Sequence, residues 1–285
     1  MSITLPEQLS YLNSPKKALS ADVEDLLSNI SKRYYKTNYS IKICEKSRAK
    51  MLTNLLYLLQ EEGKNCQLSI LDVGCGIGDI VIFLNEFLND KANKIFGSNL
   101  FPIDSKPFID EYSFSKALGE QNERIKFMLS DADQEPIPLP DKSIDVVMLV
   151  DVIEHLNNPL FALQESNRVL KQGGYLCLKT PNFANLKNRT RLLMGKSSLH
   201  DIDGWLIKDR WITPKGDERF QGHIREYTLE EAKIMLKYAG LEPILSKFHK
   251  TEQYPHHKEL LKIYNIFELL IPHFAYEYSI IAIKK

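Results

Sequence analysis

The sequence is poor in cysteine and has no excess charge of either sign. Cys44, Cys66, Cys75 and Cys177 are spread over 285 residues without metal-binding spacing. Few, unpatterned cysteines argue against a disulfide scaffold and suit a reducing cytoplasm. The 37 basic and 37 acidic side chains cancel. A nucleic-acid partner therefore has no general electrostatic support, although a local basic patch stays open. Long apolar runs are also missing. The most apolar late stretch, 260–283, is interrupted by Glu268, Pro272, His273 and Glu277, so no membrane span is expected. The opening "MSITLPEQLS" lacks the basic and apolar regions of a signal peptide. There are no repeats and no low-complexity tracts.

What is present is enough apolar chain, 44% of residues, for a sizeable core. Periodicity predicts a short helix at 21–34 and a longer one at 45–62, with Met51, Leu52, Leu55, Leu56, Leu58 and Leu59 on its stripe. Short apolar runs predict strands at 68–73, 94–99, 125–130, 143–151 and 174–180, with helices at 79–89 and 159–170 among them. Lys171-Gln172-Gly173-Gly174 reads as a glycine cap closing the second of these helices. A helix at 228–239, a strand at 241–248, a helix at 256–270 and a strand at 276–284 follow. Strands alternating with helices predict an α/β fold, a mostly parallel sheet with helices on both faces. In such sheets ligands bind beyond the carboxyl ends of the strands, where the strand order switches.

Two strand exits carry chemistry. In "LDVGCGIGD" (71–79), Gly74, Gly76 and Gly78 follow a strand and open a helix. Glycines there let a ligand approach the backbone closely, and helix-start N–H groups face it. The G-x-G-x-G spacing differs from the G-x-G-x-x-G of dinucleotide folds. Asp79 would repel a pyrophosphate, and Asp72 suits a cationic ligand. In "VMLVDVIEHLNNP" (147–159), four apolar residues run into Asp151, with Glu154 and His155 close behind. If a helix begins here, Asp151 either shares a face with His155 or caps it.

"LDVGCGIGD" resembles motif I of the class I S-adenosylmethionine-dependent methyltransferases. "SDADQEPIPLPDKSIDVVMLVDVIEHL" (130–156), "RVLKQGGYLCLKTPN" (168–182) and "HIREYTLEEAKIMLKYAGLEP" (223–243) are similar to later segments of that family. The resemblance covers roughly 45–285, with 1–44 as an N-terminal extension. It implies a Rossmann-like sheet of seven strands, mostly parallel with an antiparallel last strand, and S-adenosylmethionine as cofactor. By position, Asp72, Gly74, Cys75 and Gly76 would form the cofactor loop, and Asp151 would also bind the cofactor. Asp131 would bond the adenine amino group, and Ala132 would offer a backbone N–H to the ring. Asn99 stands where the family usually has an acidic residue for the ribose hydroxyls. That exchange costs roughly 1 kcal/mol of charge assistance.

His155 can act as a general base, since its ordinary pKa lies near neutrality. Glu154 would assist it, and His223 is a further candidate. The D-x-x-E-H segment with "HIREYT" (223–228) also resembles the metal-dependent 2′-O-methyltransferases of small RNAs and the ubiquinone-biosynthesis O-methyltransferases. By that likeness Asp151, Glu154, His155 and His223 would hold a divalent metal. Alternatively, His155 packs under the cofactor, and His223 only braces a turn capped by Thr228 and Glu231.

Segment 182–222, with eight Lys or Arg residues and both tryptophans (Trp205, Trp211), reads as a substrate lid. Lys187, Arg189, Arg191 and Lys196 fall in an acid-free stretch, 182–199, and hint at an acidic or phosphorylated acceptor. The expectation is a cytoplasmic methyltransferase, monomer or homodimer, acting on O or N of a small-molecule or saccharide-type acceptor. The alternatives are a metal-assisted RNA 2′-O-methyltransferase and a pseudo-methyltransferase binding module.

Overall fold

The computed structural model describes residues 14–34, 42–64, 67–76, 78–88, 93–100, 123–198, 210–212, 218–220, 222–250, 266–268 and 270–285. Two helices lead, α1 (Ser14–Tyr34) and α2 (Lys42–Glu61), so the first is longer than its sequence pattern predicts. Then come β1 (Ser69–Val73), α3 (Asp79–Leu88), β2 (Lys94–Asn99), β3 (Ile125–Leu129) and β4 (Ile144–Val150). A single 3-10 turn at Ile153–His155 precedes α4 (Pro159–Val169) and β5 (Leu170–Pro181). Beyond these lie α5 (Leu186–Leu193), a small hairpin of β6 (Arg210–Ile212) and β7 (Glu218–Phe220), α6 (Leu229–Tyr238), β8 (Leu241–His249) and β9 (Glu277–Lys284).

The main sheet has seven strands in the order β3-β2-β1-β4-β5-β9-β8. The first five pair in parallel, and β9 runs antiparallel to both β5 and β8. This is the expected Rossmann-like arrangement with an antiparallel last strand. The order switches between β1 and β4, the place where such sheets bind ligands.

Side-chain alternation along the strands builds two cores. Met148, Cys177 and Ile281 face one side, with Val23, Leu27, Leu52, Leu55, Phe83 and Leu84 from α1, α2 and α3. Their neighbours Leu149, Leu178 and Ile280 face the other, against Leu163 of α4 and Leu236 of α6. Burial on both faces is why the central strands read as unbroken apolar runs.

The glycine cap expected for α4 is not formed. The helix ends at Leu170, whose backbone is already extended. Lys171 to Gly174 instead lies inside β5, which carries extra residues between the pairs Ile144↔Leu170 and Val146↔Tyr175. Gly173 takes φ 71°, and a Cβ on Gly174 would lie 2.8 Å from the Lys171 carbonyl. These glycines make a strand irregularity, a use that sequence alone does not distinguish from a cap. The cap of α6 follows its spacing: Thr228 and Glu231 form the reciprocal capping box. The helix expected at 256–270 falls largely outside the described residues. Among the described residues no helix is long and apolar enough to cross a membrane.

Candidate functional site

The glycine turn after β1 holds Gly74, Gly76 and Gly78 at φ 66°, 52° and 79°. These are left-handed values that favour glycine. A Cβ on Gly74 would stand 2.7 Å from Val152 Cγ2, so the turn packs directly on the exit of β4. Gly76 meets nothing where a Cβ would be, leaving its backbone open to close approach. Cys75 faces the other way. Its N–H donates to the Ser98 carbonyl at 2.9 Å, and a Cβ on Gly97 would meet its Sγ at 2.8 Å. Cys75 therefore pins the turn to β2, and burial pushes its thiol pKa up. The thiol of this cofactor-loop candidate points into the sheet.

Asp72 is buried at the end of β1, and its pKa is pushed up to about 8. Burial is the largest cause, the nearby Asp79 adds to it, and Arg48 opposes it. Asp79 opens α3 and bonds Arg48 Nη1 at 3.2 Å. The carboxylate that the sequence set against an anionic ligand is thus paired by a cation from α2.

Asn99 ends β2 beside the turn. Its Nδ2 donates to the Gly76 carbonyl at 3.3 Å, and its Oδ1 accepts from Leu100 N at 3.0 Å. Asp131 follows β3, mostly buried, and its carboxylate accepts from Asp133 N and Gln134 Nε2 at 3.0 and 2.9 Å. Ala132, half-buried, sits in the same turn.

Asp151 leaves β4 at φ 57°, a left-handed conformation that aspartate tolerates better than most residues. It caps no helix, because only the 3-10 turn follows, and that turn has no side-chain cap. Its carboxylate is gripped by Lys179 Nζ at 2.8 Å and Arg48 Nη2 at 3.3 Å. Burial alone would raise the Asp151 pKa, but Lys179 and Arg48 hold it below the usual carboxylate value. Lys179, itself buried on β5, also reaches Glu277 Oε2 at 2.6 Å.

Glu154, His155 and His223 come together. One potential ligand atom from each lies within 4.8 Å of the others, and the two imidazoles meet edge-on at 4.9 Å. Asp151 is outside this group, so the four-residue metal set narrows to three. The segment bearing His223 is tied to the 3-10 turn by Ile224 N, which donates to the Glu154 carbonyl at 2.8 Å. Glu154 is fully buried. Its Oε2 accepts from Thr180 Oγ1 at 2.8 Å, while Oε1 has no hydrogen-bond partner. Its pKa is pushed up to about 7, first by burial and then by Asp151.

His155 Nδ1 lies 3.1 Å from the Gly222 carbonyl. A carbonyl only accepts, so Nδ1 carries the proton and Nε2 keeps a lone pair when the ring is neutral. His223 Nδ1 lies 3.1 Å from Glu226 Oε1, the carboxylate–imidazole arrangement that orients a base or a metal ligand. Burial works against a charged His223, but the bond to Glu226 and the charge of Glu154 outweigh it and raise the pKa.

Sequence reading missed Arg48, Lys179, Thr180, Asn188 and Glu226. A lysine inside the apolar run "GYLCLKT" was a visible signal. Nothing in α2 marked Arg48, which meets Asp151 across 103 residues of chain. Asn182 of the "TPN" segment is structural: its Nδ2 donates to the His273 and Ala275 carbonyls, both at 2.9 Å. Trp205 and the side chain of Trp211 lie outside the described residues.

A methyltransferase-domain family model matches residues 71–178, from within β1 to within β5. An uncharacterised methyltransferase of Schizosaccharomyces pombe is 33% identical over 115 residues, covering 39% of this chain and 38% of that protein. The mitochondrial ubiquinone biosynthesis O-methyltransferase of Dictyostelium discoideum is 28% identical over 156 residues, covering 54% of this chain and 48% of that one. The chain thus spans half or less of the length of these two relatives. Among solved structures, the cyclase SpnF superposes with a TM-score of 0.52 at 18% identity, covering 95% of this chain and 97% of the other. That likeness concerns the fold alone.

Proposed function

We propose that the chain, whose residues 71–178 match a methyltransferase-domain family model, is a class I S-adenosylmethionine-dependent methyltransferase that transfers a methyl group to oxygen or nitrogen of a small-molecule or saccharide-type acceptor. The observation that carries this reading is one of placement. The open backbone at Gly76 and the buried Asp72 stand at the switch point, and the Glu154–His155–His223 group stands one strand away. A sulfonium cofactor is cationic, as is its amino group, and the acidic floor of Asp72 suits both. Asn99 serves the ribose and Asp131 with Ala132 the adenine. His155 Nε2 takes the acceptor proton as the acceptor atom bonds to the methyl carbon and the carbon–sulfur electron pair stays on sulfur. Positioning supplies most of the rate.

Segment 182–222 serves as the acceptor lid of a cytoplasmic enzyme. One relative is named a ubiquinone biosynthesis O-methyltransferase, so hydroxyl acceptors are the first class to screen. Titration calorimetry with S-adenosylmethionine, followed by transfer of a labelled methyl to an acceptor library, tests the reading. Absence of cofactor heat sinks it and leaves a binding module.

A second reading, metal-assisted transfer, is favoured by one specific observation: a buried Glu154 Oε1 without a hydrogen-bond partner beside two imidazoles. The mixed carboxylate and imidazole set fits a divalent ion. Glu154, His155 and His223 would hold it, and bound there it would lower the pKa of an acceptor hydroxyl. Glu226 and the Gly222 carbonyl keep both imidazoles oriented for that role. A chelator should then abolish turnover, and Mn²⁺ or Mg²⁺ should restore it. An RNA acceptor is the variant of this reading least favoured by the neutral chain.

A further inference from the structure

One acid joins two strand exits that methyl transfer must bring together. Asp133 lies in the turn after β3, close behind the Asp131 proposed to meet adenine. Its backbone N–H donates to Asp131 Oδ1 at 3.0 Å. Its side chain reaches the other way, to the segment that leaves β4. Asp133 Oδ2 accepts from Asn157 Nδ2 at 3.0 Å, and Asp133 Oδ1 accepts from Asn158 N at 2.8 Å. Both donors follow His155 closely in the chain. A carboxylate offers about four lone-pair sites. Asp131, which also accepts from Gln134 Nε2, therefore keeps room for an adenine amino group.

The His155 segment has need of such a tether. It is a single 3-10 turn without a side-chain cap, and one such turn is a weak structure by itself. Its first residues are fixed from within, because Ile153 is buried and Glu154 accepts from Thr180. His155 is only half-buried, and Asn157 and Asn158 are exposed. On one side the imidazole donates to the Gly222 carbonyl. On the other, Asp133 holds the chain at Asn157 and Asn158. Asn158 also caps α4, its Oδ1 accepting from Phe161 N at 3.3 Å. The tether thus fixes the point at which the chain leaves the turn for the helix.

We propose that Asp133 is a positioning residue that couples adenine binding to the placement of His155. Adenine bonded to Asp131 orders the turn that Asp131 closes with Glu135 N. The Asp133 carboxylate is then held in place for Asn157 and Asn158, and the exit of the 3-10 turn is fixed. The base is set when the methyl donor is present. This coupling rests on the proposed placement of adenine at Asp131. A plain brace of the α4 start would make the same bonds but would not respond to adenine.

The test is amide hydrogen exchange of the full chain with and without saturating adenosine, with binding followed by calorimetry. Adenosine carries adenine and ribose but neither the sulfonium nor the amino-acid end. The amides of His155 and Leu156 donate inside the turn, to the Val152 and Ile153 carbonyls. Adenosine should slow their exchange about fivefold or more. In Asp133→Asn, whose side chain accepts at one oxygen only, the slowing should drop below about twofold while adenosine still binds. Asp133→Asn combined with Asn157→Asp exchanges donor and acceptor, restores both bonds and should restore the slowing. The comparison in the unsubstituted chain needs no variant. Exchange that adenosine leaves unchanged there overturns the coupling. So does slowing that persists in folded Asp133→Asn, or a folded double variant that behaves like the single one; each leaves Asp133 a brace of α4. No binding of adenosine overturns the coupling as well. No binding of S-adenosylhomocysteine either would overturn the cofactor reading with it.

Discussion

Glu226 holds His223 by its Nδ1 at 3.1 Å while the other oxygen of the same carboxylate is held by Asn188. One buried acid thus fixes the imidazole that faces Glu154 and His155. The bond also raises the His223 pKa, so the ring stays protonated to higher pH.

Glu226→Gln should therefore lower kcat/KM by roughly 10–100-fold. It should also move the rise of activity with pH to lower values, because the imidazole loses its proton more easily. A pH profile checks both. A drop in rate with an unmoved profile would make Glu226 a packing residue only.

Asp72 and Glu154 have pKa values of about 8 and about 7, raised mainly by burial. A carboxyl whose folded pKa is raised binds its proton more tightly in the native state. Its contribution is complete below the ordinary carboxylate pKa and is lost as pH rises through the folded value. Without ligands, Asp72→Asn and Glu154→Gln should each raise Tm at pH 8.5 by at least roughly 2–4 °C and leave it nearly unchanged at pH 4. Thermal unfolding at the two pH values decides, and a uniform loss would contradict the burial argument.

If Glu154, His155 and His223 take a metal, binding must expel protons, since a raised His223 and Glu154 are partly protonated near neutrality. Calorimetry of Zn²⁺ or Mn²⁺ in buffers of different ionisation heat should show that release. His223→Ala should remove it. Undiminished metal affinity in that variant would rule the cluster out.

Asn99→Asp places a charged acceptor at the end of β2, at the cost of the weak bond to the Gly76 carbonyl. A net tightening of S-adenosylmethionine binding by about fivefold is expected from a charge-assisted ribose contact. A weaker complex would show Asn99 to be only a brace of the glycine turn.

Arg48 bridges Asp79 and Asp151 from α2. Arg48→Met leaves both acids without that partner and removes the charge that opposes the high pKa of Asp72. Stability should fall by about 1–3 kcal/mol. The pH at which cofactor affinity rises should move upward, which titrations from pH 6 to 9 would reveal.

Local signals carried most of the architecture. Apolar runs located the central strands because those strands are buried on both faces, and the glycine turn was visible because its backbone needs left-handed angles. Gly173 and Gly174 misled for the same reason. A glycine pair after a helical stripe reads as a cap, while pairing with β4 decides that it is a strand irregularity. In the site, Glu154, His155 and His223 were legible as residue types in a pattern. Asp151 was misassigned within that pattern because its partners Lys179 and Arg48 are long-range. Glu226 escaped notice beside His223 because the capping turn that follows accounted for the whole segment.

The position of β9 has a consequence for how the molecule is made. This strand, last in the sequence, lies between β5 and β8 rather than at an edge. As the chain emerges from the ribosome, β5 exposes an unpaired rim until residues 277–284 arrive. Until then Lys179 also lacks the carboxylate of Glu277. The grip on Asp151 is thus completed late, and a nascent chain stalled before residue 277 would hold the glycine turn and its strands but not the finished reaction edge.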